Sequence, residues 1–143
     1  MILVPVQVAA SSIHGHGLFA ARFIERGTPI WRFLAGFDHD FPPEAWAALP
    51  EPARSHTRHF CFVRQGDLHV ILSGDHACFI NHSEKPNTGA PEDGTFPVTT
   101  VALRDIDAGE EITCNYWSYD ADTPWKLGAV PRDAPLGASL ASA

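Results

Sequence analysis

The chain reads as a mostly β domain of several small sheets built from short strands, an expectation that rests on three observations. Two distant stretches, Arg22-Phe23-Ile24-Glu25-Arg26-Gly27-Thr28-Pro29-Ile30 and Arg104-Asp105-Ile106-Asp107-Ala108-Gly109-Glu110-Glu111-Ile112, share the pattern Arg-x-Ile-x-x-Gly-x-x-Ile. Each follows an apolar run, Leu18 to Ala21 and Val98 to Leu103, and places Gly where a tight turn between strands needs positive φ. The best helical candidate, Phe41 to Pro50, is short and bracketed by prolines.

Taken in order, Met1-Ile2-Leu3-Val4-Pro5-Val6 is apolar and reads as a first strand. It lacks a basic flank and meets Pro5 early, which argues against a signal peptide or membrane span, so the expected location is cytoplasmic. The first echo unit follows, then the Phe41–Pro50 helix, with Pro50 as its stop. Phe60 to Val63 and Leu68 to Leu72, around Arg64-Gln65-Gly66-Asp67, read as a hairpin. Phe79-Ile80-Asn81-His82-Ser83-Glu84-Lys85-Pro86-Asn87 is a shaped loop, because Asn and Ser bond their own backbone and Pro removes a donor. Gly89 to Gly94 is a second loop, and the second echo unit leads into Thr113-Cys114-Asn115-Tyr116. Beyond Asp120 the chain is rich in Pro, Gly and Ala, and from Pro131 it has little with which to form a core, leaving Trp125 as the last expected anchor.

Bulk properties narrow the function classes. The 143 residues suit one domain with a single core. Ten basic against seventeen acidic residues, net −7, argue against nucleic-acid binding, which needs clustered Lys and Arg. An acidic surface instead attracts basic polypeptide segments over about 8 Å at physiological salt, and it also serves solubility. The three cysteines, Cys61, Cys78 and Cys114, are odd in number and widely spaced, so neither a disulfide framework nor a Cys-x-x-Cys zinc site is indicated. His56-x-x-His59 lacks further ligands at suitable spacing, so no metal is expected.

Three groups of residues are candidates for chemistry. Gly15-His16-Gly17, held by Leu18-Phe19, permits close approach of backbone to a ligand, although a glycine pair between strands also serves as a plain turn. Asn81 and His82 supply amide and imidazole groups that can read a ligand edge or close their own loop. Tyr116 ends the expected Glu110 to Asn115 strand, either as a working phenol or as an aromatic at a strand end.

These three motifs, in this order and covering roughly residues 10 to 120, resemble the SET domain of S-adenosylmethionine-dependent protein lysine methyltransferases. The resemblance implies a SET-domain fold with a knot-like C-terminal segment passing beneath the Asn-His loop. It implies a single domain over 1–120, a variable insert at about 38–75 with a short helix, and a partly disordered extension over 121–143. It assigns Gly15, His16, Gly17, Asn81, His82, Tyr116 and Trp117 to S-adenosyl-L-methionine and makes Tyr116 the catalytic residue. The implied partner is a protein or peptide with an accessible lysine, basic in character, with no nucleic acid and no membrane; the oligomeric state is left open. The alternative is a non-catalytic SET-fold module that binds peptide or cofactor.

The chain departs from the family at two places. Only Tyr119 accompanies Tyr116, and Arg32-Phe33 stands where many members carry an acidic residue and tyrosine, so the lysine channel is expected to draw on Phe33, Phe60, Phe62, Trp117 or Tyr119. The zinc-binding cysteines that follow the domain in many relatives are replaced by Trp117-Ser118-Tyr119-Asp120-Ala121-Asp122-Thr123-Pro124-Trp125.

Overall fold

A computed structural model describes residues 1–93 and 99–139. Strands β1 (Val6–Ala10), β2 (His16–Ala20), β3 (Pro29–Arg32) and β4 (His39–Phe41) precede helices α1 (Pro43–Ala47) and α2 (Glu51–Phe60). They are followed by β5 (Phe62–Val63), β6 (Val70–Leu72), β7 (Asn81–His82), β8 (Thr88–Gly89), β9 (Thr99–Ala102), β10 (Glu111–Cys114) and α3 (Thr123–Lys126). The strands form three small sheets, ordered β1-β2-β10-β7, β3-β9-β8 and β4-β6-β5, the mostly β architecture expected. Val98, Gly94 and residues 140–143 of the expected extension lie outside the described residues. Among the described residues no helix is long and apolar enough to cross a membrane.

The chain divides into two compact units, Met1–Asp38 with Ser73–Asn115, and His39–Leu72 with Tyr116–Ala143.

In the first unit the two echo stretches bond to each other. Ile24 N donates to Ile106 O at 2.8 Å and Ile106 N returns the bond to Ile24 O at 2.9 Å. Gly27 N donates to Ala102 O and Gly109 N to Ala20 O, both at 2.7 Å, so the repeat is obeyed reciprocally. Both glycines sit in the left-handed region, at φ 84° and 85°, where a side chain would be strained. The buried core repeats the pattern, with Ala20 and Ala102, Ile24 and Ile106, and Ile30 and Ile112 packed around Leu18.

One expectation fails at the start of this unit: the first strand begins at Val6, not Met1. Residues 1–3 instead lie against β3 through the isolated bridge of Ile2 to Trp31, with Leu3 N donating to Ile30 O at 2.8 Å and Arg32 N to Met1 O at 3.1 Å, and Pro5 has no N–H with which to continue a ladder. The two chain segments of the unit are tied at Asp38, whose carboxylate accepts from Leu34 N at 2.8 Å, Gly74 N at 2.9 Å and the Met1 amino group at 2.8 Å. Burial pushes this carboxyl's pKa up, but the Met1 amino group and the backbone donors outweigh it and hold the carboxyl below its usual range.

The second unit contains a helix that the sequence reading missed. Pro50, expected only to stop α1, is the N-cap of α2, with its carbonyl accepting from Ala53 N and Arg54 N. Phe60 ends that helix, so only Phe62–Val63 of the expected first hairpin arm pairs with Val70–Leu72. What α2 buries is polar. Thr57 Oγ1 accepts from Trp46 Nε1 at 2.9 Å, and Arg58 forks onto Asp122 at 2.8 and 3.0 Å.

The same guanidinium reaches the carbonyls of Ala134 at 2.8 Å and Pro135 at 3.2 Å, while the guanidiniums of Arg58 and Arg132 lie 4.3 and 5.0 Å from the centroid of the Trp125 ring. The tail is therefore held past Trp125, because a buried cation collects backbone carbonyls that the apolar count of the sequence does not register. Leu136 adds an apolar contact to the cluster of Cys61, Val63 and Val70. Burial pushes the Cys61 thiol up to about 12, so it stays protonated.

Asp122 is fully buried and Arg58 nearly so, and breaking such a pair leaves an uncompensated charge. Asp122→Ala is predicted to cost about 3 to 5 kcal/mol of unfolding free energy in urea titration. Arg58→Met combined with Asp122→Leu is predicted to cost less than Asp122→Ala alone, and an equal or larger loss would contradict the ion pair as the cause.

Candidate functional site

One polar arrangement in the first unit is built on Glu111, the first residue of β10. Pairing of β10 with β2, Glu111 opposite Phe19 and Ile112 opposite Leu18, brings this carboxylate beside the Gly15–Gly17 stretch. Ser11 Oγ donates to Glu111 Oε1 at 2.8 Å. Asn81 Nδ2 donates to the same oxygen at 2.8 Å. Asn81 Nδ2 also donates to the carbonyls of His14 at 3.1 Å and His16 at 3.0 Å. A β-carbon on Gly17 would lie 2.1 Å from Glu111 Oε1, so the carboxylate occupies the space a side chain would need. Gly15 is required for a different reason: it has open space around it but φ of +49°.

Four of the candidate residues, Gly15, His16, Gly17 and Asn81, are thus brought together. The amide nitrogen of Asn81 is committed to the loop carbonyls and Glu111. Its neighbour His82 continues β7, which pairs in parallel with β10, Cys114 opposite His82. The His82 ring lies 3.2 Å from Glu84 Oε1. His16 is edge-on to Phe79, with centroids 6.2 Å apart.

Asn87 closes the loop that carries Asn81 and His82. It is 2% exposed, its Nδ2 donates to Glu111 O at 2.7 Å, and its Oδ1 accepts from Thr113 N at 2.8 Å. Thr88 Oγ1 adds a bond to Thr113 O at 2.7 Å. A side-chain amide with both a donor and an acceptor can substitute for a missing strand neighbour, and Asn87 does so along β10.

Tyr116 and Trp117 belong to the second unit, in a 3-10 turn over Tyr116–Ser118. Tyr116 O accepts from Tyr119 N at 3.1 Å and Asp120 N at 2.8 Å. The Tyr116 and Tyr119 rings meet edge-on at 6.2 Å, and Tyr119 meets Phe62 at 5.2 Å. Of the expected channel aromatics, Phe62 and Tyr119 therefore form one series with Tyr116, whereas Phe60 packs on His56 at 5.0 Å. Trp117 is 42% exposed, and its carbonyl accepts from Gln65 Nε2 at 3.2 Å. His59 lies 5.3 Å from Trp125, so the His56-x-x-His59 pair faces aromatic rings. Among the described residues no group of three or more His, Cys, Asp or Glu is arranged to hold a metal ion.

Glu111, Ser11 and Asn87 were not singled out from the sequence. The available signal was the doubled acid in Gly109-Glu110-Glu111-Ile112: only one of two adjacent strand carboxylates can point to the solvent side, and the other needs donors. Gly17→Ala is predicted to lower stability by about 1 to 3 kcal/mol in denaturant titration, because the carboxylate must be displaced. Gly15→Ala is predicted to cost about 1 kcal/mol from backbone strain alone. Wild-type stability in Gly17→Ala would show that Glu111 does not hold this position.

The SET domain family model matches residues 15–117, which include Gly15, Gly17, Asn81, His82, Glu111 and Tyr116. A Plasmodium falciparum (isolate 3D7) protein named "Putative histone-lysine N-methyltransferase 1" is 28% identical over 117 residues, covering 76% of this chain and 2% of that protein. Among solved structures, Polycomb Repressive Complex 2 of Chaetomium thermophilum bound to the inhibitor GSK126 aligns with TM-score 0.61 and 21% identity, over 88% of this chain and 17% of that one. The same complex in an autoinhibited conformation, bound to S-adenosylmethionine, aligns with TM-score 0.60 and 23% identity, over 92% and 17%. The chain thus spans a small part of the relatives it matches, and the structural likeness concerns the fold. With the family model covering most of its length and all three motifs inside the match, the chain belongs to the SET domain family.

Proposed function

We propose that this protein transfers a methyl group from S-adenosylmethionine to the side-chain nitrogen of a lysine in a protein substrate. The observation that carries this reading is the convergence of Gly17, Asn81 and Ser11 on Glu111 within a matched SET domain. A glycine-lined stretch whose carbonyls are tied back by Asn81 keeps its shape without a ligand, which suits a small polar cofactor. In this reading Gly15, His16, Gly17 and His82 of the first unit line the cofactor, and Asn81 acts by holding the loop. The naming of the Plasmodium relative as a histone-lysine methyltransferase and the S-adenosylmethionine bound to the fungal complex support the same assignment.

When bound, S-adenosylmethionine supplies a methyl group activated by a positively charged sulfur. The work left to the chain is alignment and exclusion of water, since in-line displacement depends on the approach of donor and acceptor. The acceptor lysine must be neutral, which costs about 4 to 5 kcal/mol at pH 7 from its ordinary pKa near 10.4. Burial among Phe62, Tyr119 and Tyr116 disfavours the charged amine and so contributes to that step. The phenol of Tyr116, with a free pKa near 10, is a poor base at pH 7, and its role is to orient the amine by accepting or donating one hydrogen bond. A net charge of −7 favours a basic segment around the target lysine.

Tyr116→Phe is predicted to bind S-adenosylmethionine with unchanged affinity in calorimetry and to lose about a hundredfold or more in radiolabelled methyl transfer to a lysine-containing peptide library. Unchanged transfer would remove Tyr116 from the reaction. Cofactor binding with no transfer by the wild-type protein to any peptide or lysate would favour the non-catalytic binding module.

A further inference from the structure

Lysine occurs at only two positions, Lys85 and Lys126. Lys85 is exposed on its loop, whereas the Lys126 side chain is only 12% exposed and pairs with a fully buried Asp120 carboxylate. Its ammonium donates to the Asp120 carboxylate and to Cys61 O, and it lies 5.5 Å from the centroid of the Tyr116 ring. Burial works to lower the pKa of Lys126, but Asp120 beside it more than compensates and holds the pKa above its usual value, so the group is a fixed cation.

Asp120 is itself immobilised. Its Oδ1 accepts from Val63 N and Asp122 N, each at 2.9 Å, and its own N–H donates to Tyr116 O at 2.8 Å. The ion pair therefore grips Tyr116 twice: Asp120 fixes its backbone, and Lys126 lies against the π system of its ring. The turn that carries Tyr116 is three residues long and buries none of them, so the backbone there does not determine χ1 and χ2 by itself. A desolvated cation prefers the ring face and, with Tyr119 edge-on at 79°, selects one plane for the phenol.

We propose that Lys126, with Asp120, is a positioning residue that sets the orientation of the Tyr116 phenol. This rests on the role given to Tyr116 above, and the test separates the two. Because Tyr116 and Tyr119 are the only tyrosines, 3-fluorotyrosine incorporation yields two fluorine resonances, assigned with Tyr119→Phe, that report ring orientation without any activity. In Lys126→Met the Tyr116 resonance is expected to move toward its unfolded-chain position and to show exchange between ring orientations, with the Tyr119 resonance retained. The same variant is expected to lose about tenfold in kcat with unchanged S-adenosylmethionine affinity and peptide KM, and to lose nothing further in a Tyr116→Phe background. Lys126→Arg is expected to restore the wild-type Tyr116 resonance and most of kcat. An unmoved Tyr116 resonance in folded Lys126→Met overturns the proposal. If Lys126→Met does not fold, a folded Lys126→Arg with a displaced Tyr116 resonance but wild-type kcat overturns it instead. A wild-type protein without transferase activity sinks the preceding reading while the fluorine spectra still decide this one.

Discussion

The reciprocal bonding of Ile24 to Ile106 is the constraint from which the first unit follows. It requires the two Arg-x-Ile-x-x-Gly-x-x-Ile stretches to approach as near equivalents, with the left-handed turns at Gly27 and Gly109 returning each chain to the alanine of the other half. Three pairs of core residues then repeat across the contact. Because β2 leads into one stretch and β10 leaves the other, the arrangement also fixes β2 beside β10. A core of small apolar side chains gains stability from the tightness of such packing, and the repeat supplies it twice from one design.

Glu111 inherits its position from that arrangement and turns it into a site. A partly buried carboxylate requires donors, and Ser11 and Asn81 provide them from two other parts of the chain. The same carboxylate excludes any side chain at residue 17. One charge thus links the glycine stretch, the Asn-His loop and the strand that runs on to Tyr116. The second unit uses a related strategy with different residues: buried Asp120 and Asp122 hold Lys126 and Arg58, and those cations collect the carbonyls of Cys61, Ala134 and Pro135.

Much of this was legible in the sequence, for identifiable reasons. Apolar spacing and Gly turns located both echo stretches, although not that they bond to each other, since pairing partners leave no mark on periodicity. The glycine stretch and Asn81 were found by residue type. That the Asn81 amide is consumed by His14 and His16 carbonyls depends on geometry alone. Helix α2 was missed because its buried face is Thr57 and Arg58, which an apolar count scores as solvent-facing, and because Pro50 was read as an end when it also starts the next helix. The anchoring of the chain beyond Pro131 was missed for the same reason: its partner is the guanidinium of Arg58.

The central claim is that the carboxylate of Glu111 holds the Gly15–Gly17 stretch in the shape proposed to take S-adenosylmethionine. Calorimetric titration of folded Glu111→Leu with S-adenosylmethionine tests it most directly, because the aliphatic side chain fills similar space but removes the oxygen to which both Ser11 and Asn81 donate. The account predicts affinity weaker by about tenfold or more, equivalent to at least about 1.4 kcal/mol, with the circular dichroism spectrum retained. Wild-type affinity in that variant would contradict it.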